Sequence, residues 1–265
     1  MNSIADIPTL LDRCATIHIH SCGQWRVVAG RLPRLNRLVL SCRIPDGNWK
    51  KIATLQSLKL RCSGGIGDKW AVPLLENIVQ LEATYSWKLW NDMQRAPTFA
   101  PRLQVLRLNI ADISPFRQKF EDAFSRLLPP HPVRERRFNH VTHLVLRYTV
   151  LSPVRHPLPF VGVPSLIHLE ILLYDLRSIN GLLVFDYPTV TQLTVTTVTN
   201  PSPAGLGITE EPAHTSDLLD LIKRLPNLKN VDLTVTSVIM ASLRADIEHS
   251  PNLYPPFSII WHCLC

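Results

Sequence analysis

The sequence predicts an α/β solenoid, a right-handed coil of short stacked repeats. Parallel strands are expected on its concave face and irregular or helical chain on its convex side. Three observations predict it. One apolar template recurs along the whole chain, its copies are spaced by about the length of one coil, and the end of each copy alternates as a half-buried strand does.

The template is apolar-x-x-apolar-x-x-apolar-x-apolar. It occurs as LDRCATIHI from Leu11, LPRLNRLVL from Leu32, IATLQSLKL from Ile52, LENIVQLEA from Leu75 and APRLQVLRL from Ala100. It continues as FNHVTHLVL from Phe138, VPSLIHLEI from Val163, YPTVTQLTV from Tyr187 and LPNLKNVDL from Leu225. The seventh residues of these nine copies are Ile17, Leu38, Leu58, Leu81, Leu106, Leu144, Leu169, Leu193 and Val231. Successive intervals are 20–25 residues apart from two of 38. The shorter intervals fall within the roughly 20–29-residue period of leucine-rich repeats, and each long one has room for a repeat plus a helix-sized insertion.

Each element follows from this pattern. The last three template positions alternate apolar, variable, apolar, so each copy ends in a short strand with one buried face. The earlier apolar positions sit on the incoming loop and point into the same core. Pro33, Pro101, Pro164, Pro188 and Pro226 follow the first template position, where a fixed φ is expected to hold an extended entry into the strand. Ser114-Pro115 opens a stretch with Phe116, Phe120, Phe124 and Leu127 at helical spacing, stopped by Pro129-Pro130. This predicts a helical insertion near 114–128. Leu218, Leu219, Ile222 and Leu225 predict a second near 215–225 behind Thr215-Ser216, and a third helix is expected from Ser237 through Ile247. FSIIWHC, near 257–263, is expected to close the array, making one repeat domain over 1–265.

Composition narrows the function. A 46% hydrophobic chain can fill a core, and 22 Pro against 10 Gly suggests rigid turns and few flexible linkers. No run approaches the length of a membrane span, and MNSIADIPTLLDRC is not expected to act as a secretory signal. Six cysteines in a chain this long suggest reduced thiols, and no permissible Asn-x-Ser/Thr acceptor is present. The expected location is the cytoplasm or nucleus. A net charge of +7 permits an acidic protein or a nucleic acid as partner without requiring either.

The variable strand positions would line the concave face. Candidate binding residues there are His18, His20, Arg37, Lys59, Arg61, Glu82, Arg107, His143, Arg147 and Glu170. The N-terminal two-thirds is basic, which suggests an acidic protein partner lying across the arginines, although any solvated face carries some charge. His18 and His20 share a strand face, a geometry compatible with a metal, but no matching ligands complete a shell, so two surface histidines are expected. Cys42 and Cys62 sit at equivalent places in adjacent copies and are expected to be free thiols. Cys263-x-Cys265 is too isolated for a metal site. Trp25, Trp49, Trp70, Trp87 and Trp90 suit packing of the return segments, and HPVRERR (131–137) suits an exposed loop. Gly64-Gly65-x-Gly67 makes no nucleotide fingerprint, and no nucleophile elbow or His-Glu-x-x-His is present. No enzyme activity, metal or cofactor is expected.

The repeats, together with HTSDLLDLIKRLPNLKNVDL from His214 to Leu233, resemble the C-terminal leucine-rich-repeat region of fungal, mushroom-type F-box proteins. The resemblance covers essentially the whole chain and rests on repeat style. It implies that the repeats select a substrate, while an F-box docks the Skp-type adaptor of a cullin ubiquitin ligase. An F-box needs more helix than precedes the strand expected at Ile17, and IPTLLDRC (7–14) resembles only its start. The expectation is therefore a recognition region without a docking module. Many leucine-rich repeats also carry Asn three residues after the template. Here that place holds Cys22, Arg43, Ser63, Ser86, Ala111, Thr149, Tyr174, Val198 and Thr236. Irregular turns and modest stability are expected without that ladder.

Overall fold

In the computed structural model the described residues are 14–20, 34–41, 54–61, 76–84, 100–110, 139–148, 163–173, 176, 179, 187–198 and 215–264. The insertion expected near 114–128, the five tryptophans, Cys42, Cys62, Cys265, the 131–137 stretch and the 64–67 glycines lie outside them. The chain divides into two compact units, Met1–Asn109 and Ile110–Cys265.

In the first unit the strands are β1 (Thr16–Ile19), β2 (Arg37–Leu40), β3 (Ser57–Leu60), β4 (Gln80–Thr84) and β5 (Val105–Ile110). They pair in sequence order, all parallel, and the seventh template residues stand side by side: Ile17, Leu38, Leu58, Leu81 and Leu106. A one-residue slip would turn every leucine to solvent, so the apolar pattern fixes this register. Leu35, Leu38 and Leu40, and their counterparts Leu55, Leu58 and Leu60, are at most 2% exposed. Each such side chain contributes about 1.5–3 kcal/mol through burial.

The second unit repeats the arrangement with β6 (His143–Tyr148), β7 (His168–Leu173), β8 (Gln192–Thr197), β9 (Asn230–Thr236) and β10 (Ser258–Leu264). Leu144, Leu169, Leu193 and Val231 stand in register, and Ile259 on β10 joins the row. Within each unit the result is a solenoid-like α/β arrangement of consecutive parallel strands. Helix α1 (Thr215–Lys223) buries Leu218, Leu219, Leu221 and Ile222. Helix α2 (Ser237–His249) buries Leu243 and packs against α1, β9 and β10. The closing strand lies one residue later than the pattern suggested. No helix among the described residues is long and apolar enough to cross a membrane.

The entry into the strand differs from the expected extended segment. The amide N–H groups of Leu103, Leu166, Val190 and Leu228 donate to the carbonyls of Ala100, Val163, Tyr187 and Leu225 at 2.9, 3.1, 3.3 and 3.1 Å. Each closes a four-residue turn with Pro101, Pro164, Pro188 or Pro226 at its second position, where the proline ring presets φ. Ala100 opens its turn at φ 42°, in the left-handed region that costs a non-glycine residue about 1–2 kcal/mol. Beyond the turn, one carbonyl serves two amides of the next copy. The Asn36 oxygen accepts from Gln56 and Ser57, and the Ile167 oxygen from Thr191 and Gln192, which uses both lone pairs of each carbonyl.

The turns are tied together by a ladder placed elsewhere than the sequence comparison suggested. The third template position supplies it. Thr54 Oγ1 donates to the Leu35 carbonyl at 2.8 Å, and Thr189 Oγ1 to those of Leu166 and Pro164 at 2.8 and 3.0 Å. Asn227 Nδ2 donates to the Pro188 carbonyl at 2.6 Å. Each bond runs to the preceding copy and gives a carbonyl of its turn a partner.

Candidate functional site

Alternation along each strand leaves two or three side chains facing away from the leucines, and parallel register arranges them in rows. In the first unit one row is Thr16, Arg37, Ser57, Gln80 and Val105; the next is His18, Val39, Lys59, Glu82 and Arg107. Val39 and Val105 are the apolar members, and Val39 is buried at 2% exposure. Lys59 Nζ donates to Glu82 Oε1 at 2.5 Å, with the two side chains 22% and 13% exposed. Opposite charges on adjacent strands contribute about 0.2–1 kcal/mol.

These rows line a groove of about 420 Å³. Its walls include Thr16, Arg37, Ser57, Lys59, Gln80, Glu82 and Arg107, with Asn36 and Gln56 from the fifth template position. Arg37 is exposed, whereas Lys59, Glu82 and Arg107 are half-buried. His18, His20 and Arg61 are exposed and do not line the groove.

The second unit presents a different surface. Its rows begin with His143, His168, Gln192, Asn230 and Ser258, and with Val145, Glu170, Thr194, Asp232 and Ile260. The His143 and His168 rings are stacked, with centroids 4.2 Å apart and planes 10° from parallel. Each also reaches diagonally to the next strand. His143 Nε2 donates to Glu170 Oε2 at 3.3 Å, and His168 Nε2 is hydrogen-bonded to Thr194 Oγ1 at 3.0 Å. Arg147 is half-buried one row farther on. At the end of the sheet His262 Nε2 lies 3.3 Å from Asp232 Oδ1, on exposed side chains.

The electrostatics follow from these neighbours. Burial pushes the His168 imidazole below its ordinary value, and the charge on His143 pushes it the same way, against Glu170 and Asp232. The hydrogen bond from His143 holds the Glu170 carboxyl below the usual carboxylate value. Burial opposes that shift, while the charges of His143, His168 and Arg147 reinforce it. In the core beneath, burial pushes the Tyr148 hydroxyl above the ordinary tyrosine value.

Of the sequence candidates, the structure brings together Lys59 with Glu82 and His143 with Glu170, and places Arg37 and Arg107 in the same groove as the first pair. Asn36 and Gln56 were not among the candidates, because the fifth position was taken for an entry loop. Their signal was present all the same: Asn36, Gln56 and Gln104 put amides at that position in three of the first five copies. The candidate set also omits His168, which stacks on His143, and the pair of Asp232 with His262. Among the described residues no group of three or more His, Cys, Asp or Glu is placed to hold a metal ion. No family model, curated protein or solved structure matches the chain.

Proposed function

We propose that this chain is a leucine-rich-repeat scaffold that binds another protein, an acidic one, through the strand face opposite its leucines, and that it has no catalytic role. The observation that carries this reading is the groove of the first unit. There, Arg37, Lys59 and Arg107 converge from three different repeats on one shared surface. A surface assembled from successive copies is how repeat arrays recognise extended partners. The resemblance to F-box proteins supports a more specific version, in which the chain is the substrate-recognition part of a cullin ubiquitin ligase working in the cytoplasm or nucleus.

The test is affinity capture of the tagged chain from its own cells, with quantitative identification of what accompanies it, beside the Arg37→Glu/Arg107→Glu variant. An acidic protein retained by the parent and lost by the variant is the expected result. A Skp-type adaptor and cullin in the same capture supports the ligase version; their absence leaves a free-standing scaffold. A variant that captures the same partners at the same level removes this surface from the reading.

The basic residues of the same groove also favour a second reading, a nucleic-acid binder. Binding to arbitrary DNA or RNA with a steep salt dependence, from counterion release, would support it over the first.

A further inference from the structure

We infer that the groove of the first unit takes an extended acidic peptide, and that Glu82 occupies within it the place of a partner carboxylate. This deepens the scaffold reading and rests on it.

Three features select the ligand. Charge is the first: among the described lining residues, Arg37, Lys59 and Arg107 are accompanied by a single carboxylate, Glu82. Among these residues the surplus is two positive charges, enough to favour an anion.

The amides are the second feature. Asn36, Gln56 and Gln80 lie in the same lining, contributed by consecutive repeats. An amide side chain offers a donor and an acceptor together, as a peptide backbone does. A phosphate backbone presents acceptors and leaves the amide oxygens unanswered.

The third feature is the Lys59–Glu82 pair itself. The Lys59 ammonium is bound by the protein's own carboxylate at 2.5 Å. An incoming Asp or Glu aimed at Lys59 meets that carboxylate, so it must displace Glu82 or settle beside it on Arg37 or Arg107. Glu82 thus weakens binding of any acidic segment and favours sequences whose carboxylates fall on the flanking arginines. A like charge in the path of a wrong partner is a common means of discrimination.

The experiment is fluorescence anisotropy with a labelled oligoglutamate of about six residues. At about 3.3 Å per residue this crosses five strands about 4.8 Å apart. Oligoglutamine and oligothymidylate of matching length are the comparison probes. Oligoglutamate is expected to bind more tightly than either at the same salt. Glu82→Gln is expected to tighten it by about two- to fivefold, the range that an ion pair of modest exposure spans. Asp220→Asn removes an equal charge from exposed α1 and is expected to leave binding unchanged. Arg107→Gln is expected to weaken it, with circular dichroism confirming that the variant folds.

Tighter binding of oligothymidylate, an unchanged affinity in Glu82→Gln, or an equal gain in Asp220→Asn overturns the inference. A natural partner retained in full by the Arg37→Gln/Arg107→Gln variant also overturns it and leaves the scaffold reading standing. A chain that captures no partner removes the scaffold reading itself.

Discussion

The two units share one way of burying leucines and differ in what they place on the opposite face. In the first, Lys59 and Glu82 meet along a row, with Arg37 and Arg107 in the same groove. In the second, stacked His143 and His168 reach diagonally to Glu170 and Thr194. Guanidinium and ammonium groups as a class keep their charge through the physiological range, whereas imidazoles lose or gain theirs within it. The buried face is thus the conserved part of the design between the units, in the sense that the same template positions fill it in both. The exposed face is free to carry fixed charge in one and titratable charge in the other.

The shared core gives the largest expected effects. Leu144 and Leu58 occupy the seventh template position in their units and are 0% and 1% exposed. Leu144→Asp or Leu58→Asp puts a charge where no counter-charge waits, at a cost of more than about 4 kcal/mol. Hydrogen exchange should show protection lost first on the paired strands, at Leu169 for the former and at Leu38 and Leu81 for the latter. A Leu144→Asp variant with the parent's urea midpoint would contradict the shared register.

The turn ladder is common to the two units and gives a smaller effect. Thr189 places its single hydroxyl proton between two carbonyls of the preceding copy, and Thr54 directs its own at the Leu35 carbonyl. Thr189→Val and Thr54→Val keep shape and remove the hydroxyl. With about 0.5–1.5 kcal/mol net for a hydrogen bond, each variant is expected to cost about 1 kcal/mol. Urea midpoints left at the parent's value would mean that these hydroxyls add nothing to stability.

This ladder also marks where the sequence stops being legible. The strand register could be read because burial acts on every copy alike, so the seventh residues from Ile17 to Val231 repeat the same demand. The turns were harder. A proline φ near −65° suits both an extended entry and the second position of a turn, and the choice is made by the amide of a residue two places on, such as Leu166 bonding to Val163. Thr54, Thr189 and Asn227 escaped notice because their acceptors belong to the preceding copy, about 20–40 residues away in the chain. The same reason hid the groove. Arg61 and Arg107 look equivalent as variable strand residues, yet Arg107 lines the groove and Arg61 does not. Which exposed side chains converge depends on their row across the sheet, and the row emerges only when copies are aligned in space.

The smallest expected effect tests the titratable half of the comparison. His168 is held below its ordinary value of 6.5 mainly by burial, and its neighbours include His143, Glu170 and Asp232. Between that lowered value and 6.5 the unfolded chain binds more protons than the folded one, so stability rises with pH across this window and falls as the solution is acidified through it. Glu170 works at lower pH. Its carboxyl lies below the ordinary value of 4.5, so its contribution is complete above that value and is lost as pH drops through the folded one. The second unit should therefore lose stability in two successive steps on acidification, each small because the groups are only half-buried and solvent screens them. His168→Gln removes the upper step and spares the lower, which urea midpoints measured from neutral to acid pH can resolve. If the upper step survived in His168→Gln, the proton would be binding elsewhere on the sheet.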